Sequence, residues 1–196
     1  MRTRDPLKEK AIRHQAMEMI VKDGFDGLSM QKLAKAAEVS PATIYIYFKD
    51  REDLILRVFS EVNDQMMTIT FNGFDPEMDF EAGMRVQWRN RAKYFMKHPL
   101  EIQFMEQLRY SPLYDKTVSI STKAFAEVMG KFFKNAIERK ELMPLPFEVF
   151  WSTAFAPLYQ LVKFHSQGRS YVNKKFRLTD EMMDQTLKLV LKALKP

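Results

Sequence analysis

The segment 29–54, SMQKLAKAAEVSPATIYIYFKDREDL, constrains the fold of this chain more than any other part of it. Its apolar residues recur at helical spacing, and two helix start signals lie close together in it. Ser29 can cap one helix, and Ser40 followed by Pro41 combines a hydroxyl cap with a proline at the first helical position. Only Glu38 and Val39 separate the two helices, so the segment predicts a helix pair with a tight turn.

A further helix begins directly after this pair. Asp50, with Asp53 three residues later, is close to a capping box, and acidic residues suit the positive N-terminal end of a helix dipole. A tight pair of short helices is the helix-turn-helix arrangement, whose second helix can enter the major groove of DNA. We therefore predict a DNA-binding module whose recognition helix spans Pro41–Tyr47.

The string AAEVSPATIYIYFKDREDLI resembles the signature of the TetR family of bacterial transcriptional repressors. That signature runs roughly A-x-x-A-G-V-S-x-x-T-[LI]-Y-x-[YH]-F-x-[SND]-[KR]-E-x-L. One departure is Glu38, which stands where the family usually has glycine. Because glycine tolerates a positive φ, we expect Glu38 to cost about 1 kcal/mol if it adopts the same geometry.

The rest of the chain also has a helical pattern, without strand pairs or internal repeats. Helices separated by proline- and glycine-containing breaks are expected over 6–23, 51–68, 77–97, 99–109, 115–140, 147–166 and 180–195. The resemblance implies an all-α fold of two parts. These are a three-helix helix-turn-helix domain at residues 1–50 and a larger helical effector-binding and dimerisation domain at residues 51–196.

Composition excludes several classes of protein. The absence of cysteine rules out disulfides, cysteine metal sites and thiol catalysis. No apolar run is long enough for a membrane span, and the N-terminus lacks the apolar core of a signal peptide, so we expect a cytoplasmic protein. The net charge is +6, but residues 1–57 hold 11 Lys and Arg against 9 Asp and Glu. Bulk charge therefore does not single out the N-terminal module, although basic residues crowd its start at Arg2, Arg4, Lys8, Lys10 and Arg13.

Small residues open the predicted recognition helix and would let its N-terminus approach base edges closely. Thr43 can hydrogen-bond a base or a phosphate, and Pro41 and Ala42 can touch thymine methyl groups. The resemblance implies that Tyr45 and Tyr47 contact the DNA backbone through their hydroxyl groups. It also matches Arg51 to the family's phosphate-binding basic residue, where free N–H groups at the helix end would add to the site. An ordinary cap or surface role is the alternative for each residue. The predicted DNA-binding residues are Ser29, Gln31, Ser40, Pro41, Ala42, Thr43, Tyr45, Tyr47, Lys49 and Arg51.

Other chemistry has little support in the sequence. His14, His98 and His165 are far apart and have no partner at metal-ligand spacing, so structural or surface roles are expected. Asp and Glu are scattered along helix faces, and no glycine-rich phosphate loop is present. We expect no catalytic residue, no metal and no cofactor, and therefore no enzyme.

Methionine and aromatic residues recur at helical spacing after residue 80. Plain core packing is the alternative for any one of them. The resemblance implies a cavity among the middle helices that takes a small apolar or aromatic effector, and Met and Phe can line an adaptable cavity. The predicted ligand-binding residues are Trp88, Phe95, Phe104, Leu108, Phe125, Met129, Phe133, Trp151, Phe155 and Tyr159.

The last two predicted helices carry broad apolar stripes, and the resemblance implies that they meet a symmetry mate in a homodimer. The final stripe runs through Met183, Leu187, Val190, Leu191 and Leu194; the alternative is that it serves only the protomer core. Together these observations predict a homodimeric repressor that an effector releases from a palindromic double-stranded DNA operator. A ligand-binding or scaffolding protein of the same fold, without operator control, remains the alternative.

Overall fold

The computed structural model describes residues 5–196, apart from the side chains of residues 119–122. Every regular element in this part of the chain is an α-helix, so the predicted all-α fold is confirmed. The helices are α1 (Pro6–Gly27), α2 (Met30–Ala36), α3 (Pro41–Tyr47), α4 (Arg51–Thr70), α5 (Phe80–Lys97), α6 (Pro99–Arg109), α7 (Tyr114–Glu138), α8 (Phe147–Gln167) and α9 (Asp180–Leu194).

The chain divides into two compact units. The first combines Met1–Gln65 with Leu100–Thr122, and the second combines Met66–Pro99 with Lys123–Pro196. The first unit contains all of residues 1–50, and a functional boundary at residue 50 stays a prediction.

The core of the first unit joins α1 to α4 with α6. Ile12 and Ile20 of α1 are buried against Leu33 of α2 and Ile44 of α3, and α6 adds Phe104 and Leu108. Ile44 of α3 and Phe48, the residue that follows it, are both fully buried. One face of α3 is therefore packed against this core.

Two turns in this unit have backbones in the left-handed region. Gly24 interrupts α1 at φ 73°, close to the expected end of the first helix, and one more turn follows to Gly27. Glu38 lies in the turn between α2 and α3 at φ 54°, so it adopts the geometry for which the family uses glycine. The turn is closed by the Val39 amide, which donates to the Ala34 carbonyl at 2.9 Å.

The second unit has its own core, built from α5, α7, α8 and α9 around large aromatic side chains. Gly83 is required in α5, because a Cβ there would lie 2.4 Å from the Phe132 ring of α7. Pro157 lies inside α8, and the helix continues past it to Gln167. In the part of the chain that the structure describes, no helix has the length and apolarity needed to cross a membrane.

Most of the α9 stripe is core of this unit. Leu187, Val190, Leu191 and Leu194 are at most 5% exposed within one protomer. These residues are therefore not available to a second copy, contrary to the interface expected from the sequence. Packing of α9 against α8 and α5 accounts for their burial.

Candidate nucleic-acid interface and aromatic cluster

The recognition helix α3 presents a face that its own unit does not cover. Pro41, Ala42, Tyr45 and Ile46 are exposed, with 55% of Tyr45 and 37% of Ile46 accessible. They alternate with the buried residues at the spacing of a helix with one side packed. Sequence reasoning missed Ile46, although the burial of Ile44 and Phe48 already implies that residue 46 lies on the opposite side.

The predicted hydroxyl residues act as helix caps in the structure. The Ser29 Oγ accepts from the Lys32 amide at 3.2 Å, and the Ser40 Oγ accepts from the Thr43 amide at 3.2 Å. The Thr43 hydroxyl also pairs with the Ser40 Oγ at 2.8 Å, and Thr43 is 8% exposed. Direct base contact by Thr43 would require this pair to open. Gln31 lies exposed on α2.

Tyr47 has a partner far away in the sequence. Its hydroxyl accepts from the Asp5 amide at 2.8 Å and donates to the Asp5 carbonyl at 3.3 Å. The ring is 5% exposed. Tyr47 therefore ties the end of α3 to the N-cap of α1, and a DNA contact through its hydroxyl would compete with this link.

Arg51 is also engaged within its own unit. Its Nε donates to the Leu28 carbonyl at 3.0 Å, and Nη2 donates to the Phe25 carbonyl. These carbonyls lie at the C-terminal end of α1, where a cation is favourable. The geometry thus uses Arg51 as a clamp between α1 and α4.

The start of α4 is closed by a capping box, as expected. The Asp53 amide donates to the Asp50 Oδ1 at 2.8 Å, and the Asp53 Oδ2 accepts from the Lys49 amide at 2.9 Å. These two N–H groups are therefore not free for a phosphate, contrary to expectation. Burial opposes ionisation of Asp53, but hydrogen bonds from the Lys49 amide and from Arg57 outweigh it and lower its pKa.

The basic side chains of this module differ in whether they are ion-paired within the protein or exposed for contact with DNA. Arg13 forms ion pairs with Glu9 and Glu61 at 3.2 and 2.8 Å. Lys49 is exposed two residues after the end of α3, and Lys35 is exposed near the end of α2. The basic residues expected at positions 2 and 4 lie outside the described residues. Among the basic residues of the module, Lys49 thus combines exposure with proximity to α3.

Eight of the ten predicted ligand-binding residues lie in the second unit. Phe104 and Leu108 do not join them, because α6 places both in the core of the first unit. Trp151 packs against Phe125 and Phe155 at centroid distances of 5.2 and 4.5 Å, and Tyr159 stacks on Phe95 at 4.9 Å. The remaining three, Trp88, Met129 and Phe133, lie in the same core.

A buried arginine that sequence reasoning missed lies within this aromatic cluster. Arg91 of α5 is 4% exposed, and its guanidinium lies over the Trp151 and Phe155 rings at 5.1 and 4.8 Å. Its Nε donates to the Gln87 Oε1 and Nη1 to the Tyr159 hydroxyl, both at 3.1 Å. In sequence, Arg91 looks like any cation in a charged helix.

The pair α8 and α9 leaves apolar side chains uncovered on its outer side. Val149 of α8 is 47% exposed, and Met182 and Leu189 of α9 are 40% and 65% exposed. Ala156 and Ala193 are also exposed. The outward-facing residues are therefore different from those named in the sequence-predicted stripe.

Comparison with known proteins gives a consistent result. Residues 12–58 match the family model for "Bacterial regulatory proteins, tetR family". An uncharacterised HTH-type transcriptional regulator of Haemophilus influenzae is 30% identical over 94 residues, which cover 48% of this chain and 50% of that protein. The match thus spans about half of the length of this relative.

Solved structures extend the likeness to the whole chain. A TetR family transcription regulator from Marinobacter aquaeolei VT8 is 28% identical, with a TM-score of 0.80 over 100% of this chain and 99% of that one. A TetR-family transcriptional regulator from Haemophilus influenzae Rd has a TM-score of 0.77 over 97% and 98% of the two chains. At 19% identity, this second likeness shows the fold alone.

The family model covers the module that carries α1 to α3 and the start of α4. The structural match adds the helices that follow. Regulators of this kind bind DNA and form a family without enzymatic activity. The chain belongs to the TetR family of bacterial transcriptional regulators.

Proposed function

We propose that this regulator is a cytoplasmic, homodimeric repressor that binds a near-palindromic operator and is released by a small effector with an apolar or aromatic body. The observation that carries the proposal is the uncovered face of α3, Pro41, Ala42, Tyr45 and Ile46. Exposed apolar side chains on a short helix suit thymine methyl groups in the major groove. The division of labour proposed is DNA binding by residues 1–50 and effector binding and dimerisation by residues 51–196.

Assembly into a dimer follows from the size of the recognition helix. One helix of this length reads only a few base pairs, so two must act together, roughly 34 Å apart on the DNA. The uncovered side chains of α8 and α9, chiefly Val149, Met182 and Leu189, supply an apolar face for the symmetry mate. The dimerisation helices expected from the sequence are kept in this proposal, with different interface residues.

Release would be a shift between two conformations of the dimer. An effector that binds more tightly to the conformation with low operator affinity lowers DNA binding by its difference in binding free energy. The aromatic cluster around Trp151 and Tyr159 is the proposed effector site, because it combines aromatic rings with a polar group.

Gel retardation with the DNA upstream of the protein's own gene tests this function. Wild-type protein should retard that DNA, and Tyr45→Ala should weaken the binding at least about tenfold. Tyr171→Ala is the matched control, since Tyr171 is 91% exposed in the loop between α8 and α9. Equal affinity of both variants would contradict this docking. Failure of the wild type to select any DNA sequence from a random pool would favour the scaffolding alternative.

A further inference from the structure

The guanidinium of Arg91 is a buried charge without a counter-charge. Among the described residues Arg91 forms no ion pair with Asp or Glu, and its acceptors are the neutral Gln87 and Tyr159 side chains. Arginine stays protonated in proteins. A charge at 4% exposure therefore persists in the core of the second unit with only neutral partners and two aromatic faces.

Packing alone does not account for this choice of side chain. Taking a cation out of water is costly, and cation–π contacts with two neutral hydrogen bonds offset only part of that cost. The guanidinium also keeps unused donors, because Nη2 makes no hydrogen bond to the described residues. A carboxylate or sulfonate would accept from such a fork in two parallel hydrogen bonds.

The surroundings indicate what such an anion must carry. Trp151, Phe155 and Tyr159 surround the charge with aromatic rings, and Trp151 and Tyr159 are partly exposed. To reach the guanidinium, a ligand would have to displace these two rings at the edge of the cluster. The four side chains that contact Arg91 include no second cation, so a single negative charge matches the site.

We propose that Arg91 is the anion-recognition residue of the effector site between α5 and α8, and that the effector is an amphipathic monoanion. Its carboxylate or sulfonate pairs with the guanidinium, and its apolar or aromatic body replaces ring contacts in the cluster. This proposal rests on the function proposed above, since it names the class of molecule that the effector site takes.

Two fluorescent probes test the charge requirement. Anilinonaphthalene sulfonate carries one negative charge, and N-phenyl-naphthylamine has the same rings without it. The wild-type protein should bind the sulfonate at least about tenfold more tightly than the amine, as expected for a charge-assisted bidentate contact. Equal affinities for the two probes would overturn the proposal.

Two variants locate the preference at Arg91. Arg91→Gln removes the charge, and Gln87→Glu leaves Arg91 in place but supplies an internal carboxylate where Arg91 Nε now donates to an amide oxygen. Each should bring the ratio of the two affinities close to one, while binding of the amine persists. Arg89→Gln, at an exposed arginine of the same helix, should keep the wild-type ratio. If Arg91→Gln does not fold, Gln87→Glu decides the matter.

A preference that survives in Gln87→Glu, or a loss of both probes together, would show that Arg91 only holds α5 against α8. Gel retardation of operator DNA without probe separates this outcome from a failure of the proposed function. A wild type that binds the operator but shows no anion preference would leave the repressor and remove the proposed effector class. A wild type that binds no operator would remove the repressor itself.

Discussion

At the scale of single residues, Glu38 holds a backbone conformation that its side chain disfavours. Its φ of 54° lies in the left-handed region, which costs an L-residue roughly 1–2 kcal/mol relative to glycine. Glu38→Gly should therefore stabilise the protein by about 1 kcal/mol and raise Tm by about 2–4 °C. Thermal unfolding followed by circular dichroism measures this shift. Glu38→Ala is the control, because it removes the charge but keeps the strain and should give no such gain.

Lys49 gives a second prediction at this scale, since it is exposed beside α3. If it contacts a phosphate, Lys49→Gln should weaken binding similarly for all DNA sequences. It should also reduce the slope of log affinity against log salt by about one unit. Titrations at several salt concentrations provide the slope, and Lys163→Gln on the exposed side of α8 should leave it unchanged. An unaltered slope in Lys49→Gln would exclude this phosphate contact.

Single residues also show where sequence reasoning stops. The caps at Ser29 and Ser40 were predictable, because a cap bonds within its own helix turn. The partners of Tyr47 and Arg51 were not, since they lie 42 and 23 residues away along the chain. A tyrosine hydroxyl and a guanidinium can both bind phosphate. Only the fold shows that these two groups already form hydrogen bonds with backbone groups of the protein.

At the scale of elements, Asp53 is one of the two carboxylates that cap the start of α4. Asp53 accepts from the Lys49 amide and from Arg57 Nε, each at 2.9 Å. Asp53→Ala should cost about 1 kcal/mol of stability near neutral pH, as for loss of a helix cap. Urea unfolding measures this difference, and Gln65→Ala on the exposed side of the same helix gives a comparison.

The contribution of Asp53 to the stability of the folded protein should be lost in acid. Its pKa is lowered in the folded protein, so the contribution is present above the ordinary pKa of aspartate. It is lost as the pH falls through the lowered value, because the protonated carboxyl accepts these hydrogen bonds more weakly. Wild type and Asp53→Ala should therefore converge in stability in acid. A difference that persists there would show that the side chain acts by packing.

Elements were the most predictable level of this structure. The recognition helix spans Pro41–Tyr47 as expected, because proline and the serine cap mark its start. The role of α6 was missed, since Phe104 and Leu108 recur at the same spacing as the aromatic residues of the second unit. Periodicity shows that a face is buried but not which core buries it.

At the scale of the whole molecule, Leu189 is the residue at which the proposed dimer can be tested. Because 65% of this side chain is exposed in the protomer, Leu189→Glu should leave the protomer folded. In a dimer the same carboxylate would be buried without a partner at a cost of several kcal/mol, so light scattering should report monomers and operator affinity should fall. Val172→Glu is the control, since Val172 is 96% exposed in the loop before α9. A Leu189→Glu variant that stays dimeric would place the interface elsewhere.

Leu187 and Leu191 are the contrasting positions on the same helix. Both are at most 5% exposed in one protomer, so a glutamate at either would unfold the protomer and report nothing about assembly. The apolar stripe alone could not separate these residues from Leu189, because a helix with two partners is apolar on two sides.

The link from Tyr47 to Asp5 joins the N-cap of α1 to the last residue of α3. Fraying at the first turn of α1 must therefore break the bonds that hold the end of the recognition helix. The two segments should open as one cooperative event, with amide hydrogen exchange in both at the same free energy. Operator DNA that orders α3 should then slow exchange at the start of α1, although the two segments are far apart in the sequence.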